Sequence, residues 1–360
     1  MTRAHNFCAG PCTLPESVLQ ELADEMVEYG HSGMSVIEMS HRSADYEAIH
    51  FRTLELLRSL YTVPEEFDIL LLQGGATLQF AMIPMNLAVA PQRAGYVLGG
   101  SWGRKAFADA VKVASAYPAW TAEGSTFTRM PAPREVTIEP DTAYLHVTSN
   151  ETIEGTRMPD FEGFGARLVA DMSSDYLSRP LDWSLFDLVY GGIQKNLGPA
   201  GLTVVFVRSA LAATSPEHLP SYLRFDSHVA SDSLFNTPPV FAVWAMGKVL
   251  AWMEASGGVP AMEKRAAERS GLVYDAIDSS GGFYRNPVDP GYRSHMNVVF
   301  RLPSPELEEE FLVLAEEERL LNLRGHRSVG GIRASIYSGL PTASVEALVS
   351  FMRHFAANRG

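Results

Sequence analysis

One lysine of the chain lies between two apolar segments, where a positive charge is not expected. Lys195 lies in the segment FDLVYGGIQKNLGPAGLTVVF, residues 186–206, within a glycine- and proline-rich turn between two apolar runs. The chain has 29 basic residues but only five lysines. Burial in an apolar pocket lowers the pKa of a lysine, because desolvation disfavours the charged form. A neutral amine of this kind can form a Schiff base with an aldehyde.

An aspartate, Asp171, ends the apolar run ARLVAD and precedes Lys195 by 24 residues, about one strand–connection–strand unit. Ligands of open α/β sheets bind beyond the carboxyl ends of the strands, so both side chains can face one pocket. Taken alone, an aspartate at a strand end is as often a turn former or a helix cap. Facing a lysine, it can hold the proton of a pyridine nitrogen. The two residues together predict a pyridoxal phosphate site.

A phosphate site is expected where QGGATLQF, residues 73–80, passes from a strand into a helix. Free N–H groups and the helix dipole favour an anion there, and Thr77 adds a hydroxyl. Trp102, which follows the strand GYVLG, can stack on a ring. The two glycines by themselves are more typical of a plain tight turn. The chain has no G-x-G-x-x-G motif and no Walker lysine, so dinucleotide and nucleoside triphosphate sites are disfavoured.

The apolar pattern predicts an α/β fold built on a mostly parallel sheet. Strands that are apolar on both faces are typical of a sheet covered by helices on both sides. Such runs occur at FDILLL, GYVLG, AYLHVT, ARLVADM, FDLVY and LTVVFVR. Helices are predicted from a capping box at Thr13 and Glu16 to Tyr29, and over residues 43–61. Two more are predicted over ATLQFAMIPMNLAV and SWGRKAFADAVKVA.

The pattern changes near residue 258, where charged helices alternate with the strands HMNVVFRL and IRASIY. We therefore expect a large α/β domain over residues 1–257 and a smaller α+β domain over residues 258–360. The N-terminal segment 1–15 is expected to pack on the small domain. The apolar stretch at residues 238–253 carries Lys248 and is short for a membrane span, so it predicts a buried helix.

Composition narrows the possible functions. The net charge of −13 and the absence of a long basic run disfavour nucleic-acid and anionic-membrane partners. An anionic ligand must therefore be held by a local basic cluster. The chain has only two cysteines, Cys8 and Cys12, which is too few for a disulfide framework. Their spacing is not that of a metal site, so we expect no bound metal. No secretory signal is visible in the first thirty residues, and we expect a cytoplasmic protein.

The chain resembles the phosphoserine aminotransferase family, a branch of the class V aminotransferases with fold type I, the aspartate-aminotransferase-like architecture. That resemblance implies a large domain with a mostly parallel, seven-stranded sheet flanked by helices, and a smaller C-terminal α+β domain. It runs nearly end to end. The segments that carry it are NFCAGPCTLPESVL, MSHRS, GGATLQF, SNETIEGT, ADMSSDYLSRP, GGIQKNLGPAGLTVV, FNTPPVFAVW and GHRSVGGIRASIY.

The resemblance implies a role for each candidate cofactor residue. Lys195 is expected to bind pyridoxal 5'-phosphate covalently, Asp171 to pair with the pyridine nitrogen, and Trp102 to stack on the ring. The phosphate and the ring oxygen are expected to be held by Ala76, Thr77, Thr152 and Gln194, with Asn236 and Thr237 reaching the phosphate of the neighbouring subunit. A homodimer with a shared active site follows from that last role.

The resemblance also implies the substrates: phosphoserine, glutamate and 2-oxoglutarate, in a ping-pong reaction of serine biosynthesis. Arg333 is expected to bind the α-carboxylate. The distal anion is expected to be bound by His41 and Arg42, and by His326 and Arg327 of the neighbouring subunit. Some members carry Gly-Arg where this chain has Ala76-Thr77, so one basic contact is expected to be missing. Some bacterial members also act on 4-phosphohydroxy-L-threonine in pyridoxine synthesis.

Three alternatives differ in testable features. A cysteine desulfurase needs a nucleophilic cysteine in a C-terminal loop, and both cysteines lie in the first twelve residues. An alanine- or serine-glyoxylate aminotransferase needs no distal anion site, which the two His-Arg pairs argue against. An inactive scaffold would not need to keep both Lys195 and Asp171.

Overall fold

A computed structural model describes residues 3–122 and 127–360. The helices in these ranges are α1 (Glu16–Asp24), α2 (Ala44–Leu60), α3 (Gly75–Leu87), α4 (Ser101–Val113), α5 (Ser209–Ala212), α6 (Phe225–Val229), α7 (Val240–Ala255), α8 (Gly258–Asp278), α9 (Pro305–Glu317) and α10 (Thr342–Arg359). Short 3₁₀ helices occupy Val36–Glu38, Pro133–Glu135, Trp183–Leu185, Ser221–Leu223 and Pro290–Tyr292.

The strands are mostly short. They are β1 (His5–Asn6), β2 (Phe67–Leu72), β3 (Arg93–Leu98), β4 (Ala116–Thr121), β5 (Thr142–Thr148), β6 (Asn150–Glu151), β7 (Thr156–Arg157), β8 (Leu168–Asp171), β9 (Phe186–Gly192), β10 (Thr203–Arg208), β11 (Asn297–Phe300), β12 (Leu320–Leu321) and β13 (Ile332–Ser335).

Seven strands form one sheet in the order β2-β10-β9-β8-β5-β3-β4. Strand β10 runs antiparallel to both of its neighbours, and every other adjacent pair is parallel. The expected mostly parallel α/β sheet is therefore confirmed, although the edge strand β4 was not expected. Because parallel strands end at one edge, the segments that follow β2, β3, β5, β8 and β9 meet there.

Alternate residues of the central strands supply two different cores, as the two-residue period of a strand requires. Val204 of β10 and Val189 of β9 pack into one core, which also takes up most of α7. Val205 and Leu188 face the other side and pack with residues of α3 and α4. The buried helix expected at residues 238–253 is thus confirmed, and no helix within residues 3–122 and 127–360 is long and apolar enough to cross a membrane.

The C-terminal part has its own core, formed around the antiparallel pair β11 and β13 and the helices α8, α9 and α10. The N-terminal segment lies against this part, because β1 pairs in parallel with β12 and Phe7 joins its core. Helix α8 contributes Val259 and Met262 to the first core and Val273 to the C-terminal one. The division into domains at residue 257 stays a prediction.

The first helix differs from the expectation. It covers Glu16–Asp24 and does not extend to Tyr29, and its N-cap position is Pro15, which makes no side-chain cap. Thr13 lies two residues before this position, and its hydroxyl donates to the backbone oxygen of Asn6, at 2.8 Å. The capping box predicted from Thr13 and Glu16 is therefore wrong.

Gly191 on β9 allows a close approach that the active-site edge needs. An added Cβ at Gly191 would lie 2.6 Å from the backbone nitrogen and Cα of Ser173. We expect Gly191→Ala to lower the free energy of unfolding by about 1–3 kcal/mol, because the clash is with backbone. Urea unfolding of the cofactor-free protein measures this change.

Gly271 provides the matched control for this substitution. It lies inside α8, and nothing stands within 4 Å of an added Cβ. Gly271→Ala is expected to raise the free energy of unfolding by up to about 1 kcal/mol, since alanine is the better helix former. Equal effects of the two substitutions would show that the packing at Gly191 is not close.

Candidate active site

Asp171 is the last residue of β8, and the sheet brings it beside Thr148 of β5 and Tyr190 of β9. Its Oδ1 atom accepts hydrogen bonds from the Ser173 N–H, at 2.9 Å, and the Ser173 hydroxyl, at 2.6 Å. Within the described residues no hydrogen bond reaches Oδ2. Burial raises the pKa of the Asp171 carboxyl, while Lys195 and Ser173 oppose the shift. A buried carboxylate is thus oriented with one oxygen left for a ligand.

Lys195 follows β9 in the connection that leads to β10, and its side chain is half-buried. The N-terminal segment packs on it: an added Cβ at Gly10 would lie 3.5 Å from Lys195 Cγ, and the Cys12 N–H donates to the Gln194 oxygen at 2.9 Å. Burial lowers the pKa of the Lys195 ammonium, and the negative charges of Asp171 and Glu151 oppose this. No hydrogen bond or ion pair holds the amine within the described residues.

Trp102, in the first turn of α4, is fixed at both its backbone and its ring. Its indole Nε1 donates to Thr152 Oγ1 at 2.9 Å, and its backbone N–H donates to Glu151 Oε2 at 2.9 Å. The indole ring centre lies 5.0 Å from Lys195 Nζ. The expectation that Trp102 stacks on the cofactor ring stays a prediction. The contact between Trp102 and Thr152 joins two residues that sequence patterns only placed at separate strand ends.

Two buried glutamates cap the N-terminus of α4, and sequence reasoning missed both. Glu151 accepts the backbone N–H groups of Trp102 and Gly103, and Glu154 accepts the backbone N–H and the hydroxyl of Ser101. Burial and the neighbouring Glu154 raise the pKa of Glu151 to about 8. The other Glu154 oxygen, Oε2, is buried without a partner in the described residues. A glutamate at N3 of a helix is a sequence signal, but these two reach α4 from β6 and from the turn that follows it.

The helix α3 begins directly after two glycines. Gly74 and Gly75 have φ values of +92° and +67°, which non-glycine residues rarely adopt, and no side chain caps the helix. Leu78 makes the first recorded helical hydrogen bond, so the N–H groups before it are available to an anion. Ala76 is half-buried and Thr77 is exposed at this turn.

Asn236 and Thr237 lie beside the same turn, through Gln73 of their own chain. Asn236 Nδ2 donates to Gln73 Oε1 at 3.2 Å, and Gln73 Nε2 donates to the Thr237 oxygen at 3.0 Å. Both residues are exposed. Their expected contact with the phosphate of a neighbouring subunit stays a prediction.

The expected substrate-binding residues are only partly brought together within one chain. Arg333 Nη1 donates to the Thr152 backbone oxygen at 3.1 Å, which places its guanidinium beside the Trp102 contact. His326 is half-buried, and burial together with the charges of Arg333, Lys105 and Arg327 lowers its pKa. A cavity of about 400 Å³ opens next to Arg333, between Glu154 and the loop that follows Gly325.

His41 and Arg42 precede α2, and the structure records no hydrogen bond or ion pair between their side chains and another candidate residue in the described ranges. His41 is half-buried and Arg42 is exposed. The Arg42 backbone N–H donates to the Ser40 hydroxyl at 3.2 Å. Their placement in the substrate site therefore stays a prediction.

Several polar groups of the pocket that lack partners in the described residues suit a flat, cationic ring that carries an aldehyde and a phosphate. Asp171 Oδ2 has no recorded partner, and Thr148 Oγ1 is buried without one in the described residues. Within residues 3–122 and 127–360 the Lys195 amine has no hydrogen-bond or ion-pair partner, and burial lowers its pKa. The first turn of α3 offers backbone N–H groups to an anion. The carboxylate oxygen matches a protonated ring nitrogen, the amine can react with an aldehyde carbon, and the backbone N–H groups match a phosphate.

Comparisons with known proteins agree on one family. The family model "Aminotransferase class-V" matches residues 4–348. A phosphoserine aminotransferase of Niallia circulans is 50% identical over 359 residues, which cover 99% of each chain. The solved structure of phosphoserine aminotransferase from Bacillus circulans subsp. alkalophilus is 49% identical, with a TM-score of 0.97 and 99% of each chain covered. PLP-bound phosphoserine aminotransferase from Trichomonas vaginalis is 35% identical, with a TM-score of 0.93, and the match covers 98% of this chain and 100% of that one.

The raised pKa of Glu151 predicts a pH dependence of stability. The folded value of about 8 lies above the ordinary value of 4.5, so folding takes up a proton between these pH values. Stability from this group is therefore lost as pH rises from about 4.5 to 8. We expect Glu151→Gln to flatten this fall, measured by urea unfolding of the cofactor-free protein at pH 5.5 and pH 8. The exposed Glu162→Gln is the control, and an unchanged pH profile in Glu151→Gln would contradict the shift.

Proposed function

The chain belongs to the class V aminotransferase family, and we infer that it transfers the amino group between O-phospho-L-serine and 2-oxoglutarate, as a phosphoserine aminotransferase does. The products are 3-phosphohydroxypyruvate and L-glutamate, and the reaction is a step of serine biosynthesis. The observation that carries this inference is the burial of Asp171 at the end of β8 with the charge of Lys195, which follows the adjacent strand β9, acting on its pKa, in a chain 50% identical to a curated phosphoserine aminotransferase.

The alternative of an alanine- or serine-glyoxylate aminotransferase has less support, because the full-length relatives at 44–50% identity are phosphoserine aminotransferases. Turnover of 4-phosphohydroxy-L-threonine remains a prediction from the family resemblance. We also propose that the protein works in the cytoplasm, as the two unpaired cysteines suggest.

The cofactor is pyridoxal 5'-phosphate, which when bound supplies an aldehyde for the amino group and a ring that withdraws electrons from the substrate. Lys195 would provide the amine for covalent attachment, and the Asp171 carboxylate would accept the ring-nitrogen proton. Trp102 would provide a flat surface for the ring. The α3 turn at Ala76 and Thr77, together with Thr152 and Gln194, would hold the phosphate and the ring oxygen.

The amine of Lys195 also moves a proton at the substrate's α-carbon. Desolvation increases the fraction of neutral amine at working pH, and only the neutral amine can accept that proton. Lys195 must be able to lose its charge, whereas Asp171 must stay ionised. The two hydrogen bonds from Ser173 favour the ionised form of Asp171. The two residues thus hold protons at different atoms of the same site.

Substrate anions need basic residues, since the chain as a whole has a net charge of −13. We assign Arg333 to the α-carboxylate, because its guanidinium is anchored on Thr152 next to Trp102. His41 and Arg42, with His326 and Arg327 of a neighbouring subunit, are proposed to bind the distal phosphate or γ-carboxylate. The planar fork of arginine pairs with either anion.

Substrate selectivity tests this assignment. Arg42→Ala and Arg327→Ala are expected to raise KM for phosphoserine and glutamate roughly tenfold or more, since one charge-assisted contact is worth about 1.5–3 kcal/mol. Both variants should leave alanine turnover unchanged, whereas Arg333→Ala should impair every amino donor. Steady-state rates of the cofactor-loaded enzyme measure this, with Lys195→Ala as the inactive control. Equal losses toward alanine and phosphoserine in the Arg42 and Arg327 variants would contradict the distal-anion role.

A shared site makes cofactor binding and dimerisation interdependent. If Asn236 and Thr237 complete the phosphate site of the neighbouring subunit, a cofactor that binds only the dimer stabilises it. We expect removal of pyridoxal phosphate to raise the dimer dissociation constant, measured by sedimentation. Asn236→Ala should reduce the difference between the two forms. Identical dissociation constants with and without the cofactor would argue against a shared site.

A further inference from the structure

The five lysines divide into two groups by their partners. Three have a carboxylate partner: Lys112 with Asp109 at 2.7 Å, Lys248 with Glu25 at 2.9 Å and Lys264 with Glu268 at 3.8 Å. In the described part of the chain the other two, Lys195 and Lys105, have none. Both of them lie against the same side chain, the indole of Trp102.

Lys105 does not use the acidic partner that its helix offers. Asp109 lies four residues further along α4, where a lysine–aspartate pair commonly forms, but it pairs with Lys112 instead. The Lys105 ammonium lies 4.1 Å from the centre of the Trp102 ring, close enough for a cation–π contact. The side chain is exposed, so its charge can meet a solute.

The surroundings of Lys105 belong to the substrate end of the site. The Trp102 indole N–H donates a hydrogen bond to the Thr152 hydroxyl, and the Thr152 backbone oxygen accepts one from Arg333. His326 of the same chain is close enough for the charge of Lys105 to lower its pKa. Lys105, which has no carboxylate partner in the described residues, therefore lies on Trp102, and Thr152 joins Trp102 to Arg333, the residue assigned to the α-carboxylate. In a chain with a net charge of −13, such a local group is what an anionic substrate requires.

We propose that Lys105 is a further substrate-binding residue, whose ammonium group pairs with the distal phosphate of the phosphorylated amino acid. A lysine is a compact point charge on a flexible stem, and it can leave the indole face to reach an oxyanion. The inference rests on the proposed function, because its ligand is the phosphate of that substrate. No step of the amino transfer itself passes through Lys105.

Lys105→Met tests the proposal, because methionine keeps an apolar stem over Trp102 and removes the charge. KM for phosphoserine is expected to rise about five- to tenfold, with kcat within twofold and alanine turnover unchanged. Lys105→Arg should restore most of the affinity. Lys112→Met is the matched control, since it removes one positive charge from the same helix and should behave as the wild type. Calorimetric titration of the cofactor-loaded enzyme with inorganic phosphate, which does not react, provides a second readout that does not depend on turnover.

The outcomes separate this proposal from its premise. A wild-type enzyme that prefers alanine to phosphoserine would overturn the proposed function and the role of Lys105 with it. A wild-type preference for phosphoserine that is undiminished in Lys105→Met would overturn the role of Lys105 alone. Equal losses toward alanine and phosphoserine would show that Lys105 only supports Trp102. If Lys105→Met does not fold, Lys105→Gln gives the same comparison, and normal phosphoserine binding in it would contradict the proposal.

Discussion

The structure depends on one constraint. A carboxylate and an amine must be buried near each other, and the carboxylate must stay ionised while the amine can become neutral. Burial raises the pKa of Asp171 and lowers that of Lys195, and the attraction between the two opposes both shifts. Asp171 ends β8, and Lys195 lies in the connection that follows the adjacent parallel strand β9. The backbone hydrogen bonds between β8 and β9 therefore fix where the segments that carry the two residues begin. A fixed arrangement of this kind suits a site in which Asp171 and Lys195 each hold a proton at a different atom.

The remaining contacts extend that constraint outward. Ser173 orients Asp171, and Gly191 lets β9 approach Ser173 closely. On the other side, Glu151 fixes the first turn of α4, which carries Trp102, and Trp102 is bonded to Thr152. Arg333 of β13 is anchored on the same Thr152. A continuous series of contacts thus joins the central sheet to the strand that supplies the proposed carboxylate-binding arginine.

Sequence patterns predicted those parts of the site that follow from strand ends. Asp171 and Lys195 could be placed because apolar runs end at them, and ends of parallel strands converge. The resemblance to a family added roles for single residues such as Arg333. The capping of α4 by Glu151 and Glu154 could not be predicted, because the carboxylates come from β6 and the turn after it, some 50 residues away in sequence. The capping box at Thr13 was wrong because α1 begins at Glu16, so the N-cap position is Pro15 and not Thr13.

The most direct test of the account is the identity of the lysine that binds the cofactor. Borohydride reduction of the protein loaded with pyridoxal phosphate makes an amine–aldehyde linkage permanent, and peptide mass spectrometry then locates it. The account predicts one label per chain, on Lys195 among the five lysines, and none in Lys195→Ala. A stoichiometric label on Lys105, or undiminished labelling of Lys195→Ala at another lysine, would contradict it.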